Sequence, residues 1–246
     1  GPQDEAEVKA ALAAHHKVAA DLQPLEKKFS TLQPTDENKV MLAQYDAKQL
    51  YYMQYSNRGE KFDVAADPEI TLYNEYFGGG MNTIVFQEMR EARGLAYSAW
   101  ANLAIPTNAK GDYYYMAFIA TQNDKMQKAI EAFDEIINNM PESEKAFSIA
   151  KEALISRLRT ERTVKDGVLW SYIRMRDLGL TEPRGKQIFE KAQQMTLADV
   201  KAAQEKWVKG RKYVYGILGD IQDLDLNYLK TLGPIRTVSQ EEIFGY

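Results

Sequence analysis

Residues 73–98 decide the fold of this chain, and their sequence is YNEYFGGGMNTIVFQEMREARGLAYS. Tyr73 and Phe77 lie four residues apart, which is the spacing of one face of a helix. A run of three glycines interrupts this helix, and the residues after the glycines predict a second helix that ends in arginines. An aromatic-rich segment from Tyr97 then predicts a strand. Arg90 and Tyr97 are therefore expected at one junction between a helix and a strand.

A fixed cation beside a phenol suits a carbonyl oxygen that becomes negative during nucleophilic attack. The chain supplies little else for catalysis, because it has no cysteine and its only histidines are His15 and His16. Adjacent histidines on a helix diverge by about 100° and do not share a metal ion. We therefore predict no metal, no cofactor and no catalytic triad on this chain. The alternative is structural: Arg90 pairs with a carboxylate of its own helix, and Tyr97 is an ordinary strand aromatic.

The three glycines, residues 78–80, have two interpretations. A phosphate-binding loop requires a strand before the glycines and a G-K-[ST] sequence after them. Here a helix precedes them and Met81 follows. We therefore predict a helix-to-helix elbow that needs either a positive φ angle or close approach of two backbones.

Composition limits the function classes. At 246 residues and 45% hydrophobic, the chain can bury a substantial core. A net charge of −4 and a pI near 5.4 give no electrostatic basis for binding nucleic acid or an anionic membrane. No segment approaches the roughly 18 apolar residues that a membrane span needs. The absence of cysteine fits any compartment and slightly favours an oxidising one.

Two regions differ in composition. Residues 1–45 are predicted as a connector that arrives from an upstream domain, helical over 3–32 and a polar linker over 33–40. Residues 46–246 are predicted as an α+β domain in which one mixed, mainly antiparallel sheet packs against several helices, because strands and helices do not alternate regularly. The predicted strands cover residues 48–56, 97–105, 112–120 and 213–218, and Asp67-Pro68 predicts a helix start in which Asp67 is the cap.

The stretch from Tyr73 to Tyr97 resembles the C-terminal half of the pitrilysin/insulinase family of zinc metallopeptidases in residues and in spacing. In that family, two homologous α+β halves enclose a chamber like a clamshell. The N-terminal half carries zinc on an inverted H-x-x-E-H motif, which this chain lacks. The resemblance implies that Arg90 and Tyr97 are substrate-binding residues that position the peptide and support the scissile carbonyl.

The resemblance also implies partners. They are a peptide substrate and a homologous zinc-bearing half, in the same polypeptide or as a separate subunit. The chain is expected to be inactive alone and to be the last domain of a longer bacterial peptidase, for which a soluble, periplasmic location is favoured. The alternative function is an inactive homologue that acts as a scaffold or peptide-binding subunit. The intact Arg90 and Tyr97 pair favours the peptidase.

Overall fold

Six strands form one sheet in the computed structural model, which describes residues 2–17, 19–21 and 32–245. The strands are β1 (Lys39–Gln44), β2 (Gln49–Lys61), β3 (Ser98–Ala104), β4 (Asp112–Gln122), β5 (Val214–Gly219) and β6 (Ile235–Thr237). Their order across the sheet is β3-β4-β2-β5-β1-β6. β1 runs parallel to β5 and β6, whereas the other neighbours are antiparallel. The predicted mixed, mainly antiparallel sheet is therefore confirmed.

Helices cover one face of this sheet. The described helices are α1 (Glu5–His15), α2 (Asp67–Phe77), α3 (Ile84–Phe86), α4 (Met126–Asn138), α5 (Glu144–Thr160), α6 (Gly167–Asp177), α7 (Arg184–Ala192), α8 (Leu197–Trp207), α9 (Leu226–Leu232) and α10 (Gln240–Phe244). Alternate residues of the strands are buried against them, while the residues between are partly exposed. The sheet thus has a packed face and a largely open face, where Ile243 of α10 lies near Met41 and Met53.

The predicted boundary between connector and domain lies too late in the chain. β1, at 39–44, belongs to the interior of the sheet between β5 and β6. Thr35 is buried, and its amide donates to Asn57 of β2 at 2.8 Å. The domain therefore begins before residue 46, and 33–40 is not only a linker. The predicted helix over 3–32 is seen only as α1, because the described residues 16–17 and 19–21 are not helical; the part over 22–31 lies outside the described residues.

The elbow after α2 depends on close backbone approach at Gly78. A Cβ at this position would lie 2.3 Å from the carbonyl oxygen of Ala101 in β3. The Gly78 carbonyl oxygen accepts a hydrogen bond from the Ala101 amide at 2.9 Å. Gly78 has a φ of −87°, and neither Gly79 nor Gly80 has a positive φ. Of the two reasons predicted for glycine here, close approach is the correct one.

Two local predictions differ in detail. Asp67 is the first residue of α2 and not its cap, and its carboxylate is buried in an ion pair with Arg184 of α7. The second helix starts at Ile84, so Met81 lies before it and is exposed. The predicted strands over 97–105 and 112–120 are seen as β3 and β4, which pair with each other antiparallel.

Candidate active-site half

A π-helical turn delivers the candidate residues to the end of the sheet. It spans Gln87–Ala92, directly after α3. The Arg93 amide donates to the Glu88 carbonyl five residues back, at 3.2 Å, which is the wider π-type bond. Met89 in this turn is buried in the core. Such turns insert one residue into a helix and occur frequently at functional sites.

The chain leaves this turn at Gly94, whose φ of 58° is a left-handed conformation that suits glycine. The next residues join the sheet, because the Tyr97 amide donates to the carbonyl of Ala120 in β4 at 3.0 Å. Thr121 donates its hydroxyl to the Leu95 carbonyl at 2.5 Å. These bonds fix the backbone from Leu95 to Tyr97 immediately before β3 starts.

Arg90 and Tyr97 are in contact, as their spacing predicted. The guanidinium carbon of Arg90 lies 5.1 Å from the ring centroid of Tyr97 and 5.1 Å from that of Phe86. Both distances are within the range of cation–π attraction. Tyr97 is 72% exposed, and the Arg90 side chain is 42% exposed. The pair is therefore held in place by its aromatic neighbours and still reaches solvent.

A comparison with Arg93 shows why Arg90 is the better candidate. Arg93 donates hydrogen bonds to the carboxylates of Glu88 and Glu135, at 3.4 and 2.7 Å, and the bond to Glu135 raises the pKa of the Arg93 guanidinium. Arg90 has only a loose contact of 3.6 Å with Glu91. Within the described residues, the Tyr97 hydroxyl has no hydrogen-bond partner. Arg93 thus serves the structure, while Arg90 and Tyr97 keep polar groups available to a ligand.

The acidic and imidazole side chains do not form a metal site in the part of the chain that the structure describes. His15 and His16 are exposed at the end of α1. Asp220 and Asp225 bond to backbone amides as caps of the short helical segments that follow them. This donor set does not fit zinc, and the absence of a metal from the whole chain stays a prediction. No helix among the described residues is long and apolar enough to cross a bilayer.

Comparison with known proteins identifies the family. The sequence model of the peptidase M16 inactive domain matches residues 1–154, which include Arg90 and Tyr97. The chain belongs to the peptidase M16 inactive domain family. None of the curated proteins matches its sequence. The predicted resemblance to the non-zinc half of the pitrilysin-type peptidases is confirmed at this level.

Three solved structures show that the M16 fold extends beyond the matched residues. The peptidase M16 inactive domain from Pseudomonas fluorescens is 20% identical, with a TM-score of 0.62, and the match covers 78% of this chain and 46% of that one. The periplasmic protease PqqL from Escherichia coli is 15% identical, with a TM-score of 0.62, and the match covers 89% and 24%. A chain of complex III2 from Candida albicans is 15% identical, with a TM-score of 0.58, and the match covers 94% and 57%.

At these identities the likeness shows a common fold. The matched part of this M16 domain corresponds to about half or less of the length of the bacterial proteins.

A buried polar group of this M16 domain was not predicted from its sequence. Gln54 of β2 lies on the packed face, and its amide donates to the Asp134 carboxylate of α4 at 3.0 Å and to the Tyr52 hydroxyl at 2.8 Å. Burial raises the pKa of Asp134 from 3.8 to about 6. The alternation of β2 could have predicted that Gln54 is buried, because Leu50, Tyr52 and Gln54 lie on the same face of the strand.

Proposed function

We propose that this M16 domain is the substrate-binding, non-zinc half of a zinc metalloendopeptidase. The proposal rests on the contact between Arg90 and Tyr97, which places an exposed cation beside an exposed phenol at a fixed junction. A homologous half with an H-x-x-E-H motif would hold the zinc ion. Membership of a family described as an inactive peptidase domain supports this division of roles.

The two side chains would act on the scissile carbonyl in different ways. Tyr97 donates a hydrogen bond to the carbonyl oxygen, and this bond strengthens as the oxygen becomes negative. Arg90 contacts the Tyr97 ring, so its guanidinium orients the phenol and adds positive charge beside it. This charge also attracts the peptide carbonyl before the reaction, so Arg90 contributes to binding as well. The zinc of the partner half would supply the activated water.

The outer edge of β3 is already occupied within this domain, which supports a peptide bound to the partner half. The backbone amide and carbonyl of Leu103 are both bonded by the Asn74 side chain, at 2.9 Å each. The Ala101 amide donates a hydrogen bond to the Gly78 carbonyl. A peptide strand cannot use these groups, although strand addition is the usual mode for extended peptides. We infer that the peptide pairs with a sheet edge of the zinc half while this domain closes over it.

A second candidate function is a scaffold or peptide-binding subunit without catalysis. The likeness of this fold to a chain of complex III2 from Candida albicans favours it. The two candidates differ in what they require of Arg90 and Tyr97. A scaffold needs these residues only for packing, and both are substantially exposed.

The test is to reconstitute the two halves. The chain alone, a homologous H-x-x-E-H half alone and the mixture are assayed with a fluorogenic peptide. We expect hydrolysis well above either half only in the mixture. Arg90→Ala should lower kcat/KM by about 10-fold or more and raise KM.

Arg93→Ala is the matched control, because Arg93 lies on the same turn and bonds to Glu88 and Glu135. It should change kcat/KM by less than about 3-fold in the folded protein. Equal kcat/KM for wild type, Arg90→Ala and Arg93→Ala would reject the proposal and favour the scaffold.

A further inference from the structure

Phe86 is a large apolar residue that does not contribute to the core. It is the last residue of α3 and is half-buried, whereas its neighbours Ile84, Val85 and Met89 are buried in the core. Among the described residues, neither the core cluster nor the partly buried side chains packed against it include Phe86. Its ring instead contacts the guanidinium of Arg90, whose central carbon lies 5.1 Å from the ring centroid.

Two separate elements bring aromatic rings to this guanidinium. Phe86 precedes Arg90 by four residues, a spacing at which side chains on a helix are neighbours. Tyr97 comes from the segment before β3 and has the strand parity of Ala99 and Ala101, which are buried on the packed face. The Tyr97 ring therefore lies on the helix side of the sheet, where its centroid is also 5.1 Å from the guanidinium carbon.

Ring contacts suit an arginine that must stay available to a ligand. An ion pair occupies the N–H groups, as at Arg93, which donates to Glu88 and Glu135. A cation–π contact uses the positive charge of the guanidinium and leaves its N–H donors free. The other contact of Arg90 with the described residues is loose, because its Nε lies 3.6 Å from the Glu91 carboxylate. The two rings are thus the main restraint on a long, flexible side chain.

We propose that Phe86 is a positioning residue for Arg90: its ring holds the guanidinium beside Tyr97 and leaves the N–H donors free for the substrate carbonyl. The use of this arrangement in catalysis rests on the proposed function, whereas the restraint of Arg90 is a property of this chain alone. Because the restraint depends on an aromatic face, an aliphatic residue of similar size at position 86 does not replace it.

Two substitutions separate the aromatic face of Phe86 from its apolar volume. Phe86→Tyr keeps the ring, and Phe86→Leu keeps an apolar side chain without a ring. Phe189→Leu is the matched control, because Phe189 of α7 contacts Arg159 in the same way, at 5.9 Å, and belongs neither to the π-helical turn nor to β3. Thermal unfolding of all three variants checks that they fold.

The first measurement needs only this chain. The heteronuclear NOE of the arginine Nε–Hε groups reports their motion on the ps–ns timescale, and Arg90→Ala assigns the Arg90 signal by removing it. In wild type and Phe86→Tyr, the Arg90 group should be nearly as restrained as that of Arg93. In Phe86→Leu it should become clearly more mobile and approach Arg174, an exposed arginine whose side chain has no partner among the described residues. Phe189→Leu should leave it unchanged.

The second measurement is kcat/KM in the reconstituted peptidase. Phe86→Leu should lower it by about 3- to 30-fold, the range that loss of one cation–π contact provides, and Phe86→Tyr should stay within about 2-fold of wild type. In the Arg90→Ala background, Phe86→Leu should change kcat/KM by less than about 2-fold, because a positioning residue acts only through its partner. Phe189→Leu should match wild type.

Three results would overturn the proposal. The first is an Arg90 Nε–Hε group that is equally restrained in wild type and Phe86→Leu. The second is a Phe86→Tyr variant in which this group is as mobile as in Phe86→Leu, because the aromatic face would then not be the cause. The third is full additivity of Phe86→Leu and Arg90→Ala in the double variant, because Phe86 would then act on the substrate or on the fold directly.

The positioning of Arg90 and the proposed function fail separately. If Phe86→Leu releases Arg90 while kcat/KM is equal in wild type, Phe86→Leu and Arg90→Ala, the positioning is confirmed and the proposed function is wrong. If Arg90→Ala lowers kcat/KM while Phe86→Leu alters neither the NOE nor kcat/KM, only the positioning is wrong.

Discussion

Gly78 is the position where the structure predicts the largest effect of one added methyl group. In Gly78→Ala the new Cβ would lie 2.3 Å from the Ala101 carbonyl oxygen and 2.9 Å from that of Asn74. Both are backbone atoms, held in β3 and α2, so neither can rotate away. The contact with Ala101 must lengthen by about 1 Å, which weakens the bond between the Ala101 amide and the Gly78 carbonyl.

The magnitude follows from these two effects. Overpacking of a close-packed site costs about 1–3 kcal/mol, and a weakened backbone hydrogen bond costs about 1 kcal/mol. Gly78→Ala should therefore lower the free energy of unfolding by about 2–4 kcal/mol, equivalent to a Tm lowered by about 5–15 °C at this chain length. Gly79→Ala is the control, because nothing lies within 4 Å of its Cβ position. It should be neutral or stabilising by up to about 1 kcal/mol.

Urea unfolding followed by tryptophan fluorescence measures both variants, and Trp100 reports directly because it is next to Ala101 in β3. The result that would refute this reasoning is an equal midpoint for wild type, Gly78→Ala and Gly79→Ala. Equal destabilisation of both would instead indicate that the elbow depends on glycine flexibility and not on contact with β3.

Three further predictions follow from the described side chains. Because the pKa of Asp134 is raised to about 6, its stabilising contribution is complete below about pH 4 and is lost as the pH rises through 6. Asp134→Asn should remove this pH-dependent decrease and raise the free energy of unfolding at pH 7 by about 1–3 kcal/mol. Urea unfolding from pH 4 to 8 measures both effects. Arg184→Ala should destabilise by about 2–4 kcal/mol, because Asp67 is left buried without its partner, and Asp67→Asn in the same chain should recover part of this. The dialysed chain should retain far less than one zinc per molecule by metal analysis, and one tightly held zinc would contradict the assignment of the metal to the partner half.

Local patterns predicted most of the fold around the candidate site. The helix, the glycine elbow and the β3–β4 pairing depend on spacings of a few residues, which are visible in one sequence. Arg90 and Tyr97 were predicted to meet for the same reason, since only a helix end and a short loop, residues 91–96, separate them. The residue inserted by the π-helical turn was not predictable, because Val85, Met89 and Ala92 are spaced by four and three residues, which also fits an ordinary helix.

The features that sequence did not predict depend on distant partners. β1 and β6 are short, and each becomes a strand by parallel pairing with a segment far away in the chain. Asp67 looked like a helix cap because its partner, Arg184, is 117 residues away.

The most direct test of the central claim is the kcat of Tyr97→Phe in the reconstituted peptidase. Removing one hydroxyl keeps the ring and its contact with Arg90, so any loss reports on the hydrogen bond itself. We predict that kcat falls by about 10- to 1,000-fold while KM changes little, because such a donor acts mainly in the transition state. Tyr172→Phe, which removes a hydroxyl from an exposed tyrosine on α6, should leave kcat unchanged. Equal kcat for wild type, Tyr97→Phe and Tyr172→Phe would contradict the assignment of Tyr97 to the scissile carbonyl.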